Sequence, residues 1–237
     1  MPDKILTRAE RNNIARRELI LDVAREMIKI GGFVNLNMTH IAQAVDCSVG
    51  AVYGCFSCKE EVLVHLAMRG AVIFRDMLAK AKEFDGNTRE KMVAVHLSHN
   101  SFSKSHSIEY EAFYTSKSDG VRERISEESH RELDAIISDC LNIAECIVVQ
   151  AEKNHDIRLS ESVTATELVY NLWALQFGNL ILGRCTYTTD GEFRDKVVVQ
   201  RLFFRRFLDG FGWKPLSDKF DYVESGKKIV QQLGLFV

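Results

Sequence analysis

Between Pro2 and Pro215 the chain has no proline. Proline removes a helical N–H donor and clashes with the turn before it, so nothing in this long stretch forbids a helix from continuing. The glycines fall mostly where apolar stripes stop, at Gly31-Gly32, Gly86, Gly120, Gly191, Gly210 and Gly212, and cut the chain into helix-sized pieces. Alternation of the β type is nowhere sustained. The expected fold class is therefore all-α.

With 237 residues, 46% hydrophobic and 27% charged, the chain has the composition of a globular protein with a sizeable core. No apolar run reaches the length of a membrane span. The opening residues Met1 to Arg8 include acidic Asp3 and no apolar stretch, which is not the pattern of a secretory signal. The expectation is a cytoplasmic protein with no membrane partner. The six cysteines, Cys47, Cys55, Cys58, Cys140, Cys146 and Cys185, are spread too unevenly for a disulfide framework and are expected to be reduced. A net charge of −2 excludes a wholly basic nucleic-acid binder, so any nucleic-acid footprint must be local.

Apolar spacing predicts the long helices. Ile20, Val23, Ala24, Met27 and Ile28 share one face of a helix ending at Gly31, with Arg16, Arg17, Glu18, Asp22, Arg25 and Lys29 opposite. A second stripe runs from Leu63 through Leu66, Ala67, Gly70, Phe74 and Met77 to Leu78. A third runs from Leu133 through Ile136, Ile137, Cys140, Ala144, Ile147 and Val148 to Ala151. Between these two, residues 88–106 and 108–118 read as shorter helices. Residues 163–182 are apolar nearly all round and are expected to be buried on nearly all sides. The stretch 193–211 carries two stripes, Phe193, Val197, Phe204 and Leu208 on one side and Val199, Phe203 and Phe207 on another. One subunit's core uses one stripe, so the second implies a partner surface and a homodimer built on these two helices. The tail from Trp213 to Val237 holds one more helix, over about 221–233, with no assigned role.

The stretch from Asn35 to Leu63 is the informative one. Two short helices, Met38 to Val45 and Val49 to Phe56, are joined by Asp46-Cys47-Ser48, the spacing of a helix-turn-helix. Ile41, Ala42, Val45, Cys47, Val52 and Phe56 supply its inward apolar positions.

These residues resemble the TetR family of bacterial transcriptional regulators. Ile41-Ala42, Ser48, Gly50, Val52, Tyr53, Phe56 and Lys59-Glu60 match the family's pattern in register, and the preceding stripe with Gly31-Gly32 matches too. The likeness covers about Arg16 to Leu66; beyond it only the layout is similar. The resemblance implies an N-terminal three-helix DNA-binding domain over 1–67 and a larger helical effector-binding and dimerisation domain over 68–237. It places Ser48, Val49, Gly50, Ala51, Tyr53 and Gly54 nearest a DNA major groove, with Tyr53 and Lys59 on phosphates. Asn37, where the family usually has Thr, caps the first short helix and also contacts phosphate. The function implied is a ligand-responsive regulator, a repressor, that binds a palindromic operator in double-stranded DNA as a homodimer.

The chain departs from the family at several positions. Asp46 stands where Gly is usual, and Asp tolerates the left-handed turn conformation better than most residues. Val49, Ala51, Gly54 and Cys55 replace the family's frequent polar and basic residues, leaving the reading helix without charge. Direct readout then relies on apolar contact with thymine methyls and on Ser48 and Tyr53. Lys4, Arg8, Arg11, Arg16 and Arg17 give the first twenty residues an excess of two positive charges, which can reach phosphates.

Candidate residues for a largely apolar small-molecule effector are His96, His99, Phe102, Phe113, Tyr114, Cys140, Trp173, Gln176 and Phe177, apolar walls with a few polar groups. Gln176 and Trp173 stand out, because polar groups inside an apolar helix need partners. No cofactor or metal is expected. His96 and His99 with Glu109 are the nearest approach to a metal or catalytic set, and Cys55-Phe56-Ser57-Cys58 the nearest to a thiol site. No phosphate loop or nucleophile elbow occurs, and no catalytic residue is assigned. Two other readings stay open: a helical dimeric protein-interaction module without sequence-specific DNA binding, and a metal- or His-dependent enzyme.

Overall fold

A computed structural model of the chain describes residues 7–183 and 196–236. The described residues form helices and their connections: α1 (Arg8–Gly31), α2 (Met38–Ala44), α3 (Val49–Tyr53), α4 (Lys59–Lys82), α5 (Thr88–Ser105), α6 (Ser107–Thr115), α7 (Asp119–Arg122), α8 (Glu127–Lys153), α9 (Ala165–Gly183), α10 (Lys196–Gly210) and α11 (Tyr222–Leu233). The all-α class is thus observed. Phe193, Gly191, Cys185 and Lys4 lie outside the described residues, and the Val197 side chain is also outside them.

The chain divides into two compact units. One comprises residues up to Val72 together with His106–Ile136; the other comprises Ile73–Ser105 together with residues from Ile137 onward.

In the first unit, α1 opens on a capping box. Thr7 Oγ1 accepts from the Glu10 N–H at 3.2 Å and the Glu10 carboxylate accepts from the Thr7 N–H at 2.7 Å, satisfying two N–H groups that a helix start leaves free. The predicted stripe is the face that turns inward: Ile20, Leu21, Ala24 and Ile28 are buried. Ile41 and Ala42 of α2, Val52 of α3, and Phe56, Val62, Leu63 and Leu66 of the same unit are buried as well, and α2 packs on both α1 and α3. Ion pairs bind the outer faces. Arg69 of α4 holds Glu18 at 2.5 Å and Asp22 at 2.7 Å on α1, while Arg25 of α1 donates to Glu109 of α6 at 2.6 Å.

The second unit has its own core, with Met92, Val93 and Leu97 of α5, Ile147 and Val148 of α8, Leu168 and Leu172 of α9, Phe204 and Leu208 of α10, Trp213, and Tyr222 and Ile229 of α11. Arg89 of α5, fully buried, is its main polar fastening. Its guanidinium donates to the Trp213 carbonyl at 2.6 Å, the Pro215 carbonyl at 3.0 Å, the Arg205 carbonyl at 2.9 Å and Ser217 Oγ at 2.9 Å, and pairs with Asp209 at 2.8 Å. Helix α11 lies along α5, with Ser225 Oγ donating to Glu90 at 2.6 Å and the Phe236 N–H donating to Ser101 Oγ at 2.8 Å. The tail therefore completes this core.

Two sequence expectations need correction. The second short helix stops at Tyr53 and does not reach Phe56, because Cys55 and Phe56 turn into the core and the Gly54 N–H closes the last turn on the Gly50 carbonyl at 2.9 Å. Burial of α9 on nearly all sides is not seen within the single chain: Leu168, Val169, Leu172 and Gln176 are inside, but Tyr170 and Leu182 are 60% and 64% exposed. On α10, Leu202 and Phe203 are likewise exposed, whereas Phe204 and Leu208 are buried.

Candidate nucleic-acid interface

Each short helix of the first unit starts on a capping side chain. Asn37 Oδ1 accepts from the Thr39 N–H at 2.7 Å at the start of α2, and Ser48 Oγ accepts from the Ala51 N–H at 3.1 Å at the start of α3. The link between them turns at Asp46 with φ +50°, the left-handed conformation its short polar side chain tolerates. Anchoring from α3 is by Val52, which is fully buried. The opposite face is open: Val49 is 37% and Tyr53 51% exposed, and Gly50 lies between them on the surface. A methyl group on Gly50 would meet nothing nearer than Ser48 Oγ at 3.9 Å, so no contact within the chain requires glycine there. Gly54 differs, since its Cβ would stand 3.4 Å from the Gly50 carbonyl oxygen.

Lys59 begins α4. Its Nζ donates to the Val34 carbonyl at 3.2 Å and lies 4.9 Å from the centre of the Phe33 ring, which fixes the ammonium while leaving it further donors. The acidic residues of the same first turn face inward. Glu61 accepts from the Ser126 N–H at 2.5 Å and Ser129 Oγ at 2.6 Å, and Glu60 pairs with Arg124 at 3.1 Å. Burial works to raise the Glu61 pKa, but the hydrogen bonds from Ser129 and Ser126 and the nearby His65 hold it below the ordinary carboxylate value.

Arg17 does not extend a basic face. Its guanidinium donates to the Cys55 carbonyl, sits 3.1 Å from His65 Nε2 and covers the Phe56 ring at 4.3 Å, bracing the turn after α3. Arg16 remains exposed. His65 is held below the usual histidine pKa, first by burial and then by the Arg17 charge, so it is neutral at pH 7. Cys55 is buried, and Cys58 Sγ lies 3.5 Å from the Arg124 carbonyl oxygen.

The effector candidates fall in both units. Phe113 and Tyr114 of α6 belong to the first unit, with Lys117 over the Phe113 ring at 5.3 Å. The others belong to the second, where His96, His99 and Phe102 lie on α5 and Trp173, Gln176 and Phe177 on α9. Phe74 joins His99 and Phe102, at 5.1 and 5.2 Å between ring centres. Asn100 joins the histidine to the glutamine. Gln176 Nε2 donates to Asn100 Oδ1 at 2.6 Å, and Asn100 Nδ2 lies 3.2 Å from His96 Nε2. Spacing alone could have found Asn100, one helical turn from His96, but an asparagine draws less notice than a histidine. Burial pushes the pKa values of both His96 and His99 down to about 3 and the Cys140 thiol up to about 12, so all three are neutral at pH 7. Among the described residues no three His, Cys, Asp or Glu side chains come together as metal ligands.

Residues 20–66 match the family model described as bacterial regulatory proteins, tetR family. The chain carries a TetR-family domain. Helices α2 and α3 are the helix-turn-helix of that domain, and its exposed α3 face is the one the TetR resemblance singles out. Solved structures share the fold. The TetR family regulator PfmR from Thermus thermophilus is 17% identical, with a TM-score of 0.60 over 80% of this chain and 97% of its own. The fatty acid degradation regulator FadR from Bacillus halodurans is also 17% identical, with a TM-score of 0.60 over 84% and 97%. FadR from Bacillus subtilis, solved with stearoyl-CoA, gives 17% and 0.60 over 81% and 98%. No curated protein matches the chain.

Proposed function

We propose that the chain is a ligand-responsive transcriptional regulator of the TetR type, a cytoplasmic repressor that binds a palindromic operator as a homodimer. Residues 1–67 would read DNA, and residues 68–237 would bind an effector and dimerise. The observation that carries this reading is α3: a helix pinned by Val52 and capped by Ser48, presenting Val49, Gly50 and Tyr53 outward with Ala51 half-buried beside them. In a major groove Val49 and Ala51 meet thymine methyls, and the bare Gly50 allows close backbone approach. Asn37, Tyr53 and Lys59 take phosphates and fix the register, and Ser48 and Gly54 lie at the ends of the contact. Two copies joined through α9 and α10 present two α3 helices to a twofold-symmetric site. The effector is an apolar small molecule bound in the second unit, as the regulator from Bacillus subtilis was solved with an acyl-CoA. Helix α4, which contributes residues to both units, would carry the response to the reading helices. The reading assigns no catalytic residue, metal or cofactor.

Selection of bound fragments from random duplex DNA, followed by a salt titration, tests this proposal. A palindromic consensus is expected. The Tyr53→Phe, Lys59→Ala double variant is expected to lose two phosphate hydrogen bonds worth about 1–1.5 kcal/mol each, weakening operator binding by about one to two orders of magnitude. The uncharged α3 favours a second reading, a dimeric helical module that binds protein and not DNA. Absence of any enrichment at low salt would select that reading.

A further inference from the structure

The C-terminal helix, to which the sequence pattern assigns no role, forms one side of a cavity. Helix α11 lies along α5, and together with α10 they enclose about 380 Å³, within the size range of small-molecule sites. Val93 and Leu97 of α5, Phe204 of α10 and Val230 of α11 make its apolar walls. Its charged lining is of one sign: Arg201, Arg205 and Lys227 border it, and among the described residues no Asp or Glu does. Lys227 is paired at the surface with Glu224 at 3.0 Å. Arg201 and Arg205 have no carboxylate partner among the described residues, and Arg201 Nε is buried without a hydrogen bond. Burial first, then the charges of Arg206 and Arg89, hold the Arg205 guanidinium below its ordinary pKa.

A second buried donor borders the same space. Because Gln176 donates to Asn100 Oδ1, the Asn100 amide nitrogen is the atom facing His96 Nε2. With the two amides in this orientation that ring nitrogen accepts, which places the ring proton on Nδ1. Nδ1 has no hydrogen bond of good geometry, in a side chain that is 4% exposed, stacks on Phe204 at 4.0 Å between ring centres and interacts with the Gln176 side chain. Buried donors without acceptors are costly, and the Arg201 and Arg205 guanidinium groups contact no carboxylate among the described residues, Asp209 and Asp221 acting on Arg205 only from further away. One kind of guest answers both.

We infer that the α5–α10–α11 groove binds a small molecule with an apolar body and a single carboxylate. The carboxylate meets Arg201 and Arg205, whose planar forks suit it, and the body lies along Val93, Leu97, Phe204 and Val230. Only one of the candidates drawn from sequence, His96, lines this groove. The inference deepens the ligand-responsive reading by naming a site and a chemical class, and rests on that reading only for its regulatory meaning.

Calorimetric titration of the full chain, without DNA, decides it, with naphthoate, its neutral counterpart naphthylmethanol, and inorganic phosphate as probes. Naphthoate is expected to bind and the other two to bind more weakly. Arg201→Gln is expected to weaken naphthoate by at least about tenfold while leaving naphthylmethanol unchanged. Gly226→Leu fills the groove from α11. A Cβ there stands 4.0 Å from Leu97 Cδ1, an ordinary contact, so the backbone admits a side chain, and the substitution is expected to abolish binding while the thermal midpoint checks that the fold is kept. Equal binding of acid and alcohol, equal binding of phosphate and naphthoate, indifference of naphthoate to Arg201→Gln, or no naphthoate binding at millimolar concentration would each overturn the inference. Binding without operator enrichment would sink the regulator reading and keep the site; enrichment without binding would do the reverse.

Discussion

Arg89 shows how far a residue's letter can mislead about its place. Preceded by Thr88 and followed by Glu90 and Lys91 at the start of α5, it reads as surface, yet it is fully buried and fastens the end of α10 and the chain leading into α11. Removing one member of a buried, hydrogen-bonded ion pair leaves the other desolvated and alone. Arg89→Met is therefore expected to cost about 3–5 kcal/mol in urea unfolding. The buried histidines act through protons. His96 and His99 have folded pKa values of about 3 against an ordinary 6.5. As pH falls below 6.5 the unfolded chain takes up protons that the folded chain refuses, so stability declines on acidification, by about 1.4 kcal/mol per pH unit for each histidine. Urea titrations at pH 7 and pH 5 measure this. The variant His99→Phe, which keeps an aromatic ring beside Phe74, is expected to remove about half of the histidine part of the slope.

Whether an element was legible in the sequence depended on whether its partners were near in the chain. The stripe Ile20, Ala24, Ile28 predicts α1 because the helices it covers follow within about forty residues, and their turn is signalled by Asp46 and Ser48. The end of α3 was misplaced by the same logic. Cys55 and Phe56 continue an apolar pattern, but they are buried by leaving the helix and entering the core. The groove was not legible at all. Arg201 and Arg205 look like the polar side of α10 until α11 covers them, and nothing local in α11 says that its partner is α5. Gln176 stood out in the sequence as a polar group inside an apolar helix, while the Asn100 that links it to His96 drew no notice.

At the scale of the whole molecule, the exposed side of α9 and α10 defines what a second copy would cover. Tyr170, Leu182, Leu202 and Phe203 are exposed apolar side chains on helices whose other sides are already buried. A charge placed there is not matched on a twofold-related copy, which presents the same charge back. Phe203→Glu is expected to yield a monomer by sedimentation equilibrium at micromolar concentration, with the helical circular dichroism of the parent chain. A dimer surviving that substitution would move the interface elsewhere.

The bracing role of Arg17 has a kinetic consequence. With that guanidinium turned inward onto Cys55 and Phe56, and no charge anywhere on α3, the proposed reading unit would grip an arbitrary stretch of duplex through few charges, such as Arg16 and Lys59. Sliding along DNA depends on such a grip. A regulator built this way would search a genome mainly by short encounters and release, spending little time on wrong sites and relying on shape and methyl contacts to stay at the right one.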